Sequence, residues 1–158
     1  MSEISQVRLV VLDVDGVMTD GRLYFDANGE ALKVFNVRDG HGIKSLLQAG
    51  ITVAIISGRR SSALQRRAAE LGIERVHEGV DDKGAAIRIL MNDLGLSAEQ
   101  CACLVDDTPD LPMMTAVGWP VAVADAHEEV LAAARMVTRR PGGAGAVREL
   151  ADLILGHG

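Results

Sequence analysis

Aromatic residues are nearly missing from this chain: they make up 3% of its 158 residues, against 48% hydrophobic residues in all. Aliphatic side chains must therefore fill the interior, and Val, Ile, Leu and Ala suit helices packed on a parallel sheet. Cysteine is equally scarce. The two present, Cys101 and Cys103, lie two apart in an apolar run and would share one strand face, so they read as reduced core residues rather than as a metal site. No stretch approaches the ~20 apolar residues needed to span a bilayer. The amino terminus lacks a basic stretch, and its apolar run is broken by Asp13, so no leader is expected and the cytoplasm is the default. A basic surplus is lacking too. The net charge of −6 argues against general nucleic-acid binding, yet leaves room for an anionic substrate in a local positive pocket. The length predicts a single domain over 1–158.

What is present is organised around Leu9-Val10-Val11-Leu12-Asp13-Val14-Asp15-Gly16. The aliphatic run reads as a strand buried on both faces, as in a parallel sheet. Asp13 and Asp15, two apart, project to the same side of an extended chain and can face one pocket while Val14 faces away. Like charges held that close call for a metal ion or a shared proton. A calcium loop of the EF-hand kind fits poorly, because the acidic spacing stops at Asp15 and the preceding segment is strand-like.

Next come two short strand-like runs, Arg22–Phe25 and Ala31–Phe35, joined by Asp26–Glu30, whose Asn28-Gly29 suits positive φ in a hairpin turn. This hairpin, an insertion at about 21–36, carries the chain's one Tyr and both Phe residues and is expected over the carboxyl end of the first strand. Asn36–Gly40 reads as the return segment. Beyond it the pattern alternates: helix His41–Gln48, strand Ile51–Ile56, helix to Leu71 capped by Ser61 or Ser62, strand Ile73–His77, helix Lys83–Leu94 and strand Cys101–Val105. A short helix Leu111–Ala116, strand Pro120–Ala124, helix His127–Ala134 capped by Asp125, a brief extended Met136-Val137 and helix Ala146–Leu155 complete it. Such alternation predicts an α/β fold, a doubly wound and mostly parallel Rossmann-like sheet of about five or six strands.

Ligands in such sheets bind outside the carboxyl ends of the strands. Asp13, Ser57 and Asp106 each sit just past a predicted strand, and Lys83 opens a helix after another, so four polar positions from distant sequence converge on one edge. The set suits phosphoryl transfer. Asp13 can attack phosphorus, and Asp15 can protonate the leaving oxygen and later take a proton from water. A hard cation, Mg²⁺, would join Asp13, Asp106 and a backbone carbonyl of Asp15. Lys83 supplies positive charge, and Ser57 with the amides near Gly58 can hold phosphate oxygens. A Ser-His-Asp hydrolase is the competitor, but Ile55-Ile56-Ser57-Gly58 lacks the glycine that a nucleophile elbow carries two residues before serine.

Asp13-Val14-Asp15-Gly16-Val17, Ser57-Gly58-Arg59, Lys83 and Asp106-Asp107-Thr108-Pro109-Asp110 resemble the four motifs of the haloacid dehalogenase superfamily, and the aspartate two past the nucleophile resembles its phosphatases. The hairpin is similar to the minimal-cap group. Within that group, Asn36–Gly42, Ala122–His127 and Gly145–Glu149 resemble the 3-deoxy-D-manno-octulosonate 8-phosphate phosphatases over nearly the whole chain. That resemblance implies sugar-phosphate contacts from Asp15, Asn36, Val37, Arg38, Asp39, Gly40, Lys44, Arg59, Arg67 and Lys83, with Asp107 and Asp110 standing behind the metal ligands. It also implies a homotetramer in which a neighbour's hairpin and tail help close each site, and a product used in lipopolysaccharide synthesis. A nine-carbon sugar-acid phosphate or a non-catalytic oligomerisation module are the alternatives. Three positions depart from the pattern: Val105 where glycine is usual, which can re-aim Asp106; Lys44 in place of arginine; and Ala144 in place of a larger or basic residue.

Overall fold

The computed structural model describes residues 3–157. Six parallel strands form the main sheet: β1 (Leu9–Leu12), β4 (Thr52–Ile56), β5 (Arg75–His77), β6 (Cys101–Val105), β7 (Trp119–Ala122) and β8 (Met136–Val137), in the order β5-β4-β1-β6-β7-β8. Strands β2 (Tyr24–Asp26) and β3 (Gly29–Leu32) make the separate antiparallel hairpin. The helices are α1 (Val37–Gln48), α2 (Ser62–Leu71), α3 (Lys83–Leu94), α4 (Leu111–Met114), α5 (Glu128–Ala133) and α6 (Ala146–Ile154).

β1 is central because it is apolar on both faces. Val10 and Leu12 face a core shared with Ile43, Leu46, Leu64 and Leu150 from α1, α2 and α6. Leu9 and Val11 face a second core with Ile87, Leu90, Met113 and Val130 from α3, α4 and α5. Fully burying such a side chain contributes roughly 1.5–3 kcal/mol. The chain winds outward from β1 through β4 to β5, then α3 carries it back to β6 on the other side of β1. The winding direction therefore reverses between β1 and β6, and that is where an open α/β sheet leaves a crevice at its carboxyl edge. Both cysteines are buried and free in β6, on the second core.

Three local expectations are corrected. Helix α1 begins at Val37 rather than His41, because the Asn36 side chain accepts hydrogen bonds from the backbone N–H groups of Arg38 and Asp39 and caps it. Gly40 and Gly42, poor helix formers, hide that first turn from a propensity reading. In the hairpin the two-residue connection is Ala27-Asn28, Asp26 pairs with Gly29, and Gly29 alone takes positive φ, at 110°. Helix α5 is capped by His127, whose Nδ1 accepts from the Glu129 amide at 3.1 Å, while Asp125 accepts from the Gly142 amide at 3.0 Å.

Candidate active site

Asp13 leaves β1 and Asp106 leaves β6, side by side at the reversal point. Between them the chain makes a tight turn in which Gly16 has φ of 90°, and a side chain there would overlap the Asp106 carboxylate. Only glycine combines that backbone with that closeness. Thr19 Oγ1 accepts from the Gly16 and Gly21 amides at 3.3 and 3.2 Å and closes the turn. Helix α3 is capped by Asp82, whose side chain accepts from the Ala85 amide, and this places Lys83 in its first turn against the same edge. Lys83 Nζ lies 3.2 Å from Asp13 Oδ1 and 2.7 Å from Asp110 Oδ1. The other Asp110 oxygen accepts from the Asp106 and Asp107 amides at 3.3 and 3.4 Å, so Asp110 orients both Lys83 and the loop that carries Asp106.

A cavity of about 450 Å³ opens here, and Asp13, Asp15, Ser57, Arg59, Lys83 and Asp106 all line it. Asp107 and Asp110 line it as well, although Asp107 Oδ1 is occupied by the Thr108 amide at 2.7 Å. Ser57 is held at the strand exit by its amide to His77 O, 2.9 Å, and its Oγ accepts from the Arg59 amide at 3.3 Å. Val105 is fully buried in β6, in register with Ala122, and Asp106 still meets Asp13.

The wall carries six aspartates, among them Asp81, against two cations, Arg59 and Lys83. Burial, followed by the charge of Asp110, raises the Asp13 carboxyl well above its usual range despite Lys83. Burial, with Asp110 and Asp107 nearby, lifts Asp106 to about 6 even though a hydrogen bond with Asp13 opposes the rise. Burial works against the charge of Lys83, but Asp13 and Asp110 together outweigh it and hold its pKa above the ordinary value. Carboxylate oxygens of Asp13, Asp106 and Asp110 all lie within 4.8 Å of one another. Crowded carboxylates that hold protons so tightly, with oxygen as the donor atom throughout, fit a hard divalent cation.

The remaining expected contacts lie outside this cavity. Asn36 caps α1, Val37 is 79% exposed, and Lys44 is exposed on the same helix. The Asp39 carboxylate is buried and turns away from the site to accept the Arg148 amide at 3.0 Å, tying α1 to the start of α6; burial raises its pKa, and amides of Arg148, Gly145 and Val147 oppose the rise. Arg67 packs over Phe35, 6.0 Å from the ring centre, and fills the space beside Gly40. Arg38 lines a different cavity.

Two site residues escaped the sequence reading. Lys33, its side chain 5% exposed, reaches from the hairpin to Asp15 Oδ1 at 2.8 Å and Glu30 Oε1 at 3.0 Å. Glu30 in turn lies 3.3 Å from Ser61 Oγ and 3.8 Å from Arg59. The spacing of Glu30 and Lys33 hints at a pair, but their partners at Asp15 and Arg59 are too distant in sequence to leave a local signal. These bonds draw the hairpin over the sheet edge, and Leu23 reaches the cavity wall.

Residues 76–150 match a family model described as haloacid dehalogenase-like hydrolase. Over 151 residues the chain is 51% identical to 3-deoxy-D-manno-octulosonate 8-phosphate phosphatase KdsC of Yersinia pestis, covering 96% of this chain and 81% of that protein. The chain belongs to the KdsC family of haloacid dehalogenase-like hydrolases. Among solved members of the family, the cobalt-bound deoxy-D-mannose-octulosonate 8-phosphate phosphatase of Haemophilus influenzae superimposes with a TM-score of 0.95 at 48% identity, over 99% of this chain and 91% of that one. The Moraxella catarrhalis enzyme in complex with magnesium, phosphate and KDO gives 0.94 at 39% identity, over 98% and 89%.

Proposed function

We infer that this chain is a Mg²⁺-dependent phosphatase that hydrolyses 3-deoxy-D-manno-octulosonate 8-phosphate to the free sugar acid and phosphate. The observation that carries it is the meeting of Asp13, Asp15, Lys83 and Asp106 in one cavity at the reversal point of the sheet. Asp13 is the nucleophile: a carboxylate oxygen attacks phosphorus and the bond to the sugar oxygen breaks, leaving an aspartyl phosphate. Asp15 gives its proton to that sugar oxygen, then takes one from the water that attacks the aspartyl phosphate, freeing phosphate and restoring Asp13. Lys83 holds Asp13 in place and offsets its charge. Asp13, Asp106 and the backbone carbonyl of Asp15 would hold Mg²⁺, which when bound would neutralise phosphate charge that six aspartates otherwise repel. Asp110 stays behind that set, since Lys83 and two amides already occupy its oxygens. Ser57 and the amides after it bind phosphate oxygens. Arg59 lies on the same wall, its Nη1 3.6 Å from Asp15 Oδ2, and brings positive charge to where an anionic substrate group would sit.

We further propose one catalytic domain with the hairpin as its insertion, working as a homotetramer. Leu23, Phe25, Leu32, Val34 and Val37 are 52, 61, 48, 55 and 79% exposed on the hairpin and its exit. A short hairpin with that surface is marginal alone, and packing against other copies would bury it. Asn36, Val37, Lys44 and Arg67, outside their own chain's cavity, would then act from an adjacent copy, while the Asp39 carboxylate, tied to the Arg148 amide, would hold the turn that presents them. The two free thiols suit the cytoplasm, and the product serves lipopolysaccharide synthesis.

Phosphate release measured over a panel of sugar phosphates tests the reading. The eight-carbon keto-deoxy acid phosphate is expected to be preferred over its nine-carbon analogue and over common hexose phosphates. No release from any of them with Mg²⁺ present would overturn the phosphatase, and equal rates would overturn the substrate.

A further inference from the structure

A second cavity, of 530 Å³, shares no residue with the aspartate site. Its wall holds four arginines, Arg38, Arg139, Arg140 and Arg148, with two acids, Glu149 and Asp152. In a chain of net charge −6 that grouping is against the trend. The acids do not balance it. Glu149 gives both oxygens to backbone amides, those of Arg139 at 3.1 and 2.9 Å and of Arg140 at 3.0 Å. Asp152 is taken by Arg148, at 3.0 and 3.2 Å. The guanidiniums of Arg38, Arg139 and Arg140 have no ion pair or hydrogen-bond partner among the described residues. The amides that open α6 add nothing, because Asp39 already occupies that end.

Three unpaired planar cations around one hollow are suited to forked contacts with carboxylate or phosphate oxygens. The hollow exceeds a single phosphate and falls in the range of small-molecule sites. It also borders the catalytic turn. Ala144 and Gly145 in its wall belong to the Gly142–Gly145 loop. The Gly143 amide donates to Val17 O at 2.9 Å, and side chains at Gly142 and Gly143 would overlap the backbone of Gly16 and Thr19.

We propose that this cavity binds a small organic polyanion, a molecule with two or more carboxylate or phosphate groups, as an effector of the enzyme. Charge on Arg139 and Arg140 is then neutralised next to the loop that braces the turn carrying Asp13 and Asp15.

The test is titration calorimetry on the Mg²⁺-loaded full chain with two probes, benzene-1,3,5-tricarboxylate and methylenebisphosphonate, which separate carboxylate from phosphate-like recognition and carry no ester to cleave. At least one probe is expected to bind wild type, and Arg139→Gln/Arg140→Gln to weaken it by about tenfold or more. Ala144→Glu, at an exposed wall position that threatens no core packing, is expected to abolish binding by adding a carboxylate. Arg59→Gln, altered in the aspartate site, should bind as wild type does. Turnover of an aryl phosphate should change by about fivefold with the bound probe in wild type and stay constant in the double variant. Absence of binding to wild type, equal affinity in the double variant, or loss on Arg59→Gln would overturn the site. Binding without any change in turnover would overturn the effector role. A change of mass by light scattering in the double variant would assign the arginines to a contact between copies and also overturn it.

Discussion

Removing the metal should invert the usual acid sensitivity of this protein's stability over the range below neutrality. In the chelated protein Asp106 ionises at about 6 rather than near 3.8, with burial as the main cause. The unfolded chain has no such burial, so between these values the folded state holds a proton that the unfolded state has lost. Unfolding free energy then rises as pH falls through about 6 and levels near the unfolded value; equally, this contribution is lost as pH rises through the folded value. A shift of that size is worth at most about 3 kcal/mol, and because Asp106 is only part-buried, about 1–2 kcal/mol is the working figure. Asp13, also raised, adds in the same direction. For a chain of this length each kcal/mol moves the midpoint by roughly 2–4 °C. Thermal unfolding in EDTA should therefore give a Tm about 2–8 °C higher at pH 5 than at pH 7.5. Asp106→Asn, which carries no charge to lose, should flatten part of that slope and leave the part due to Asp13, and excess Mg²⁺ should raise Tm chiefly at the higher pH, where the carboxylates are ionised. A Tm in EDTA that falls on acidification in wild type, or a slope untouched by Asp106→Asn, would refute the reasoning.

Asp13→Asn should keep its circular dichroism spectrum and lose turnover by at least about 10³-fold, whereas Asp15→Asn should slow both half-reactions and still bind metal. Chelation should stop phosphate release and Mg²⁺ restore it, while Ca²⁺, which takes more ligands at longer bonds, should occupy the site without supporting turnover. Lys83→Met leaves Asp13 and Asp110 buried without their cation and should destabilise the metal-free protein by about 3 kcal/mol in denaturant unfolding. Lys33→Met should reduce kcat on the sugar substrate by about tenfold, with recovery in Lys33→Arg, because Asp15 and Glu30 lose the cation that draws the hairpin down. Replacing the hairpin by a glycine-serine link should give species smaller than wild type by light scattering that still cleave an aryl phosphate slowly but lose selectivity for sugar-acid phosphates; wild type that is a monomer with full selectivity would remove the assembly proposal.

Helix α3 and strand β6 match the sequence reading to the residue, Lys83–Leu94 and Cys101–Val105, because periodicity, the Asp82 cap and Gly95 at the end are all local. The aspartate pair and the motif set were legible for the same reason: the residues following each strand are chemical groups whose placement the alternating pattern already implies. What the sequence by itself determined, then, is the sheet, its carboxyl edge and which polar residues reach it. Tertiary structure decided the rest. Asp39 looks like a polar loop residue in sequence, yet the Arg148 amide, 109 positions away, claims its carboxylate and turns it from the cavity. Lys33 looks like a solvated hairpin cation, yet it is buried against Asp15. Gly142 and Gly143 stand in sequence only as glycines ahead of the last helix, yet they are glycines because the Gly16–Thr19 backbone lies where their side chains would be. In each case the deciding partner is remote along the chain, and only packing brings a charge or a backbone close enough to fix what the residue does.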